Sequence, residues 1–67
     1  MLTLRDILNA GVEFEAADTY VKHWNDEKED YDIVSPLSAR DDRLLDMEVR
    51  YVYPLSDSEL CIEVIDY

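Results

Sequence analysis

The closing third of the chain, "MEVRYVYPLSDSELCIEVIDY" (residues 47–67), carries two runs of alternating polarity and leaves little choice but a sheet. Met47, Val49, Tyr51 and Tyr53 alternate with Glu48, Arg50 and Val52, and Leu60, Ile62 and Val64 alternate with Cys61, Glu63 and Ile65. Successive strand side chains point to opposite faces, so each run turns one set toward a core. The first set is odd-numbered and the second even, so in-phase antiparallel pairing needs a loop of even length. A two-residue loop at Asp57 and Ser58 meets this and sets Tyr53 beside Ile62 and Tyr51 beside Val64. Arg50 then lies diagonal to Glu63 on the outer face, a contact worth roughly a few tenths of a kcal/mol. Pro54 has no backbone donor, so its strand ends there or runs along an edge.

A second pair of strands is expected upstream. "TYVKHW" (19–24) and "YDIVS" (31–35) are rich in aromatic and β-branched residues and flank the acidic stretch "NDEKED". They read as the arms of a hairpin turning at Glu27 and Lys28, with Trp24 facing Tyr31, His23 facing Asp32 and Val21 facing Val34. Ahead of them, Thr3 is placed as the N-cap of a short helix, Asp6 as its capping-box partner, and Gly11 as its left-handed stop. Leu4, Ile7 and Leu8 share one face of that helix. Val12 and Phe14 then alternate with Glu13 and Glu15 as a lead-in strand. Between the strand pairs, Pro36 stops a strand and Ser38 can cap a single helical turn carrying Leu44 and Leu45. The expected fold class is α+β: one domain, residues 1–67, with a short N-terminal helix packed on an antiparallel sheet of two β-hairpins. The other face of that sheet is expected to be wet.

A core this small supplies about 3–5 kcal/mol, and the usual staples are missing. Cys61 is the sole cysteine, and with His23 it makes no zinc quartet. No cofactor is expected. The cysteine usage suits a reducing cytoplasm. No apolar run approaches the roughly 20 residues that span a bilayer, and "MLTLRDILNAG" lacks the basic start of a signal peptide. No membrane partner is expected.

Seventeen Asp and Glu against six Lys and Arg give a net charge of −11. That exceeds the magnitude of roughly 2–8 that keeps a small domain soluble, and such self-repulsion opposes compaction. Disorder is excluded by composition, since 48% of residues are hydrophobic and seven are Tyr, Trp or Phe. Direct nucleic-acid binding is opposed by the same field. The converse fits: an acidic surface can occupy a groove built for nucleic acid. Duplex DNA carries about one charge per 1.7 Å of axis, so eleven charges match about 19 Å of it, part of a groove only. Residues 26–35 carry −4 and residues 51–67 carry −4. The candidate partner-binding residues are therefore Asp26, Glu27, Glu29, Asp30 and Asp32 with Tyr31 in the first hairpin, and Asp57, Glu59, Glu63 and Asp66 in the second. Adjacent hairpins could merge these into one stripe; acidic turns can equally serve only to protect sheet edges.

Other chemistries fit less well. An EF-hand starting at Asp26 fails at Lys28, Tyr31 and Leu37. His23 opposite Asp32 has the look of an oriented general base, yet no nucleophile or glycine-rich oxyanion segment accompanies it. Cys61 reads as a small half-buried strand residue with no cation beside it to activate its thiol. Trp24 and Tyr51 are expected in the core, while Tyr20, Tyr31 and Tyr53 are the better candidates for contact with a partner or a second copy.

The helix "LTLRDILNAGVEFE" and the closing hairpin "EVRYVYPLSDSELCIEV" resemble, in size, charge and layout, the short acidic proteins of bacteriophages and other mobile elements, small anti-CRISPR proteins among them. That resemblance implies a stoichiometric, non-enzymatic inhibitor that acts as a nucleic-acid mimic on the cationic site of a bacterial defence complex. The implied partner is a basic protein or complex of the host defence machinery, met by a monomer or small homo-oligomer. An antitoxin-like partner of a basic protein unrelated to defence is the alternative.

Overall fold

A computed structural model describes residues 1–10 and 18–66. The expected stop at Gly11 and the alternation from Val12 to Glu15 fall outside these residues. The α+β class holds: a short helix, α1 (Leu4–Asn9), and four strands, β1 (Thr19–Asn25), β2 (Asp30–Pro36), β3 (Glu48–Ser56) and β4 (Glu59–Ile65). α1 starts as the sequence implies, with the Asp6 amide donating to the Thr3 hydroxyl (3.2 Å) and the Thr3 amide to the Asp6 carboxylate (3.0 Å). Six residues cannot hold a helix alone. Leu4, fully buried, anchors it, and the chain before it pairs along β3: the Val49 amide donates to the Leu2 carbonyl at 2.7 Å, and the Leu4 amide to the Met47 carbonyl at 3.3 Å.

The sheet is mixed rather than antiparallel. Its order is β2-β1-β4-β3; β1 pairs antiparallel with β2 and β3 with β4, but β1 and β4, side by side at the centre, run parallel. The cause is the segment 37–47. β2 ends beside the start of β1, and β3 begins beside the end of β4, so the chain must cross the sheet between them. Parallel strands need such a crossover, and here about a dozen residues provide it. In place of one turn capped by Ser38 there are two 3-10 turns, Leu37–Ala39 and Asp42–Asp46; the second is capped by the Asp41 side chain, which accepts from the Arg43 amide. Leu37 and Leu44 point from this crossover onto the inner face and join Leu4, Val21, Ile62 and Val64 in the core.

The registers depart from simple alternation at three places. Trp24 pairs with Tyr31 as expected, but His23 then pairs with Ile33 and Val21 with Ser35, because Asp32 bulges out of β2. In β3 the register slips at Leu55 and at Arg50, so Tyr53 pairs with Cys61, Tyr51 with Glu63 and Val52 with Ile62. The slip at Leu55 turns Tyr51 and Tyr53 from the expected inner face to the outer one, and the slip at Arg50 returns Val49 to the inner face beside Val64. Pro54 lies on an edge strand, as its missing donor demands.

β4 is buried on both faces, from Cys61 through Ile65. The outer face is therefore not wet at its centre, and Cys61 is fully rather than half buried. Leu44 reports on the crossover that makes this arrangement possible. Leu44→Ala removes a fully buried side chain at a cost of about 2–5 kcal/mol, similar to the whole stability of about 3–5 kcal/mol of so small a core. Urea titration followed by circular dichroism is expected to find the variant largely unfolded; a loss below about 1 kcal/mol would mean that the crossover is not part of the core.

Candidate functional site

The acidic stretch forms the connection between β1 and β2, with Asp26–Glu29 bridging the last pair, Asn25 and Asp30. Asn25 organises it. Its Oδ1 accepts from the amides of Glu27 (3.0 Å) and Lys28 (3.2 Å), the side-chain turn that asparagine readily makes with its own backbone. Its Nδ2 donates to Asp32 Oδ2 at 2.7 Å, while Lys28 Nζ donates to Asp32 Oδ1 at 2.7 Å. Both oxygens of Asp32 are thus spent on bracing the turn, which explains why the bulge at Asp32 is useful. Glu29 sits at φ 54°, a left-handed conformation that costs a non-glycine residue about 1–2 kcal/mol. The braces around it hold that geometry.

Four exposed carboxylates remain on this turn, Asp26, Glu27, Glu29 and Asp30, none ion-paired among the described residues. Asp26 accepts from the Trp24 indole at 3.4 Å. Because β1 and β4 are parallel, β4 delivers Asp66 to the same end, where it lines a shallow cleft with His23, Asn25, Asp26 and Glu27. Asp57 and Glu59 lie at the opposite end of the sheet, where β4 begins; seven strand residues put roughly 23 Å between the two ends. The acidic residues of the two turns do not merge into one stripe.

Glu63 belongs to neither end. Its side chain is 5% exposed, at the centre of the outer face. Tyr31 donates its hydroxyl to Glu63 Oε1 at 2.6 Å, and Arg50 Nε stands 3.8 Å from Oε2. The expected Arg50–Glu63 contact therefore forms, through a bulge rather than a diagonal. Rings and cations roof the carboxylate: Trp24 meets Tyr31 edge-on at 5.2 Å, Lys22 Nζ stands 5.0 Å from the Tyr31 ring and 5.9 Å from the Tyr53 ring, and the Arg50 guanidinium stands 5.4 Å from Trp24 and 5.0 Å from Tyr51. The hydrogen bond to Glu63 and burial push the Tyr31 hydroxyl pKa up, and a hydrogen bond with the Cys61 thiol, together with burial, pushes that of Tyr53 up. Trp24 and Tyr51 are accordingly outer-face residues, with Tyr51 53% exposed, not members of the core expected of them.

His23 lines the inner side of the acidic end, its Nδ1 4.0 Å from Asp32 and its Nε2 buried without a partner among the described residues. It pairs with Val64 on the face opposite Cys61, so the two do not form a nucleophile and base. Lys22, Asn25 and Arg50 were not legible as site residues. For Asn25 a signal existed, an asparagine at the end of a β-run just before charged turn residues. For Arg50 the expected contact with Glu63 was the signal; for Lys22 none existed, because the sequence does not show that β1 flanks β4.

Two measurements check this site. The bonds from Lys28 and Asn25 hold the Asp32 pKa below the usual carboxylate value, and Lys28 is raised by the same contact. A lowered folded pKa means that the brace is complete above the unfolded value of roughly 3.9 and is lost as pH falls through the folded one. Carboxyl NMR should find the Asp32 midpoint below roughly 3.9, moving up in Lys28→Met; an unmoved midpoint would dissolve the brace. On the outer face, Glu63→Ala leaves Arg50 and the Tyr31 hydroxyl facing an empty, buried position and should cost about 3 kcal/mol. Tyr31→Phe should cost about 1–2 kcal/mol, since only one charged-acceptor bond at a partly exposed ring is lost. Equal, near-zero costs in denaturant titration would show that the cluster is not stabilising.

Among the described residues no group of three or more His, Cys, Asp or Glu is arranged to hold a metal ion, and no helix is long and apolar enough to cross a membrane. Compared with known proteins, the chain matches no family model, no curated sequence and no solved structure.

Proposed function

We propose that the protein is a non-enzymatic inhibitory binding protein whose acidic sheet end occupies a cationic, nucleic-acid-binding site on a partner, in the manner of a partial nucleic-acid mimic. The observation that carries this reading is the braced turn: Asn25, Lys28 and Asp32 fix the backbone while Asp26, Glu27, Glu29 and Asp30 stay exposed, with Asp66 beside them. A preorganised anionic tip pays little ordering entropy on binding, which a floppy acidic loop would not avoid. The layout of the chain, similar to small acidic mobile-element proteins, points to a bacterial defence complex as the partner.

Topology limits how much nucleic acid the tip can imitate. With Asp57 and Glu59 at the far end, five carboxylates act together. At about one charge per 1.7 Å of duplex, they replace the phosphates of about 8–9 Å of axis. The tip therefore competes for a few phosphate subsites, and its affinity should fall steeply with salt.

Charge reversal at one end against the other gives the test. Replacing Asp26, Glu27, Glu29 and Asp30 by lysine is expected to keep the circular dichroism spectrum and abolish both effector binding and competition with its nucleic acid. Asp57→Lys with Glu59→Lys should leave both within about threefold, a change of under roughly 1 kcal/mol. Binding that survives the first set, or persists unchanged at high salt without competition, would overturn the reading.

A further inference from the structure

On the outer face, we infer that the rings of Trp24 and Tyr51, next to the acidic tip, form a platform for an arginine side chain of the partner, occupied in the free chain by its own Arg50. The inference rests on the proposed cationic partner and extends the contact from the tip to this face.

Three observations converge on it. Arg50 already stands over both rings, at 5.4 and 5.0 Å, so the geometry accepts a guanidinium. Planar guanidinium stacks on aromatic faces better than ammonium does, and the attraction strengthens when water is excluded. Glu63 supplies a buried counter-charge beneath the same rings, its side chain 5% exposed. Finally, the platform is continuous with the acidic tip, because the Trp24 indole donates to Asp26 and Trp24 pairs with Tyr31 at the root of the turn. A cationic segment guided to the tip would meet the platform within one side chain's reach. Arg50 itself is 34% exposed in its side chain and sits at a bulge of the edge strand β3, so a competing guanidinium can reach the rings from solvent.

Displacement makes an unusual prediction, that shortening a cation improves binding of a cation by more than its charge explains. The probe is hexa-arginine, titrated into the full chain, with Trp24, the sole tryptophan, read by fluorescence and by its indole N–H resonance. Arg50→Ala and Arg43→Ala carry the same net charge. Arg50→Ala is expected to bind about two- to fivefold more tightly than Arg43→Ala, the gain from one exposed cation–π contact, with a larger Trp24 response. Arg50→Lys, which keeps the charge and the buried pairing, covers the case in which Arg50→Ala fails to fold; it should bind more tightly than the unaltered chain. Equal affinities of the two alanine variants, or a silent Trp24 while the turn amides shift, would remove the platform and leave the acidic tip as the contact. No binding of hexa-arginine by any variant would remove both.

Discussion

Everything in this molecule depends on the parallel pairing of β1 with β4 at the centre of the sheet. Once those strands lie side by side and run the same way, the crossover 37–47 must span the inner face, and Leu37 and Leu44 become core. β4 acquires neighbours on both sides and a cover on both faces. Its inner residues meet the helix and the crossover; its outer residues, Cys61, Glu63 and Ile65, are roofed by rings and by the stems of Lys22 and Arg50. A chain of 67 residues thereby gains a second, side-chain-built layer without spending another helix on it.

The same pairing decides the electrostatics. Parallel centre strands send the β1–β2 turn to one end of the sheet and the β3–β4 turn to the other. The excess charge of the two acidic regions is therefore held apart, which lowers self-repulsion and concentrates the exposed anionic tip at one place. Six cations cannot neutralise this chain, and the structure deploys them locally. Lys28 braces Asp32, Arg5 pairs with Asp46 at 3.0 Å, Arg43 pairs with Asp41 at 2.7 Å, Arg40 donates to the Leu37 carbonyl at 3.0 Å, and Lys22 and Arg50 lie over rings. The field of the tip is left largely intact.

Much of the local structure was legible. The capping box of Thr3 and Asp6 and the presence of four strands, expected at 19–24, 31–35, 47–53 and 60–65, follow from residue chemistry and period-two patterning, though the third runs on through Pro54 to Ser56. So did the acidic turn. The bulges were not legible: Asp32, Arg50 and Leu55 each shift a register by one residue, and a one-residue shift sends a side chain to the other face. That is why Tyr51, assigned to the core, stands outside. Glu63, counted among the partner-binding carboxylates, keeps its expected outer face but is buried there because β4 is a central strand.

By itself the sequence determined roughly where four strands lie, how the helix starts, and that acid gathers in two places. These are short-range matters of propensity, capping and turn chemistry. Only the tertiary structure decided which strands are neighbours, that the central pair is parallel, and that the two acidic regions stand at opposite ends. Strand order is settled by which pairing buries Leu37, Leu44, Ile62 and Val64 together, a comparison between whole arrangements that no local stretch encodes.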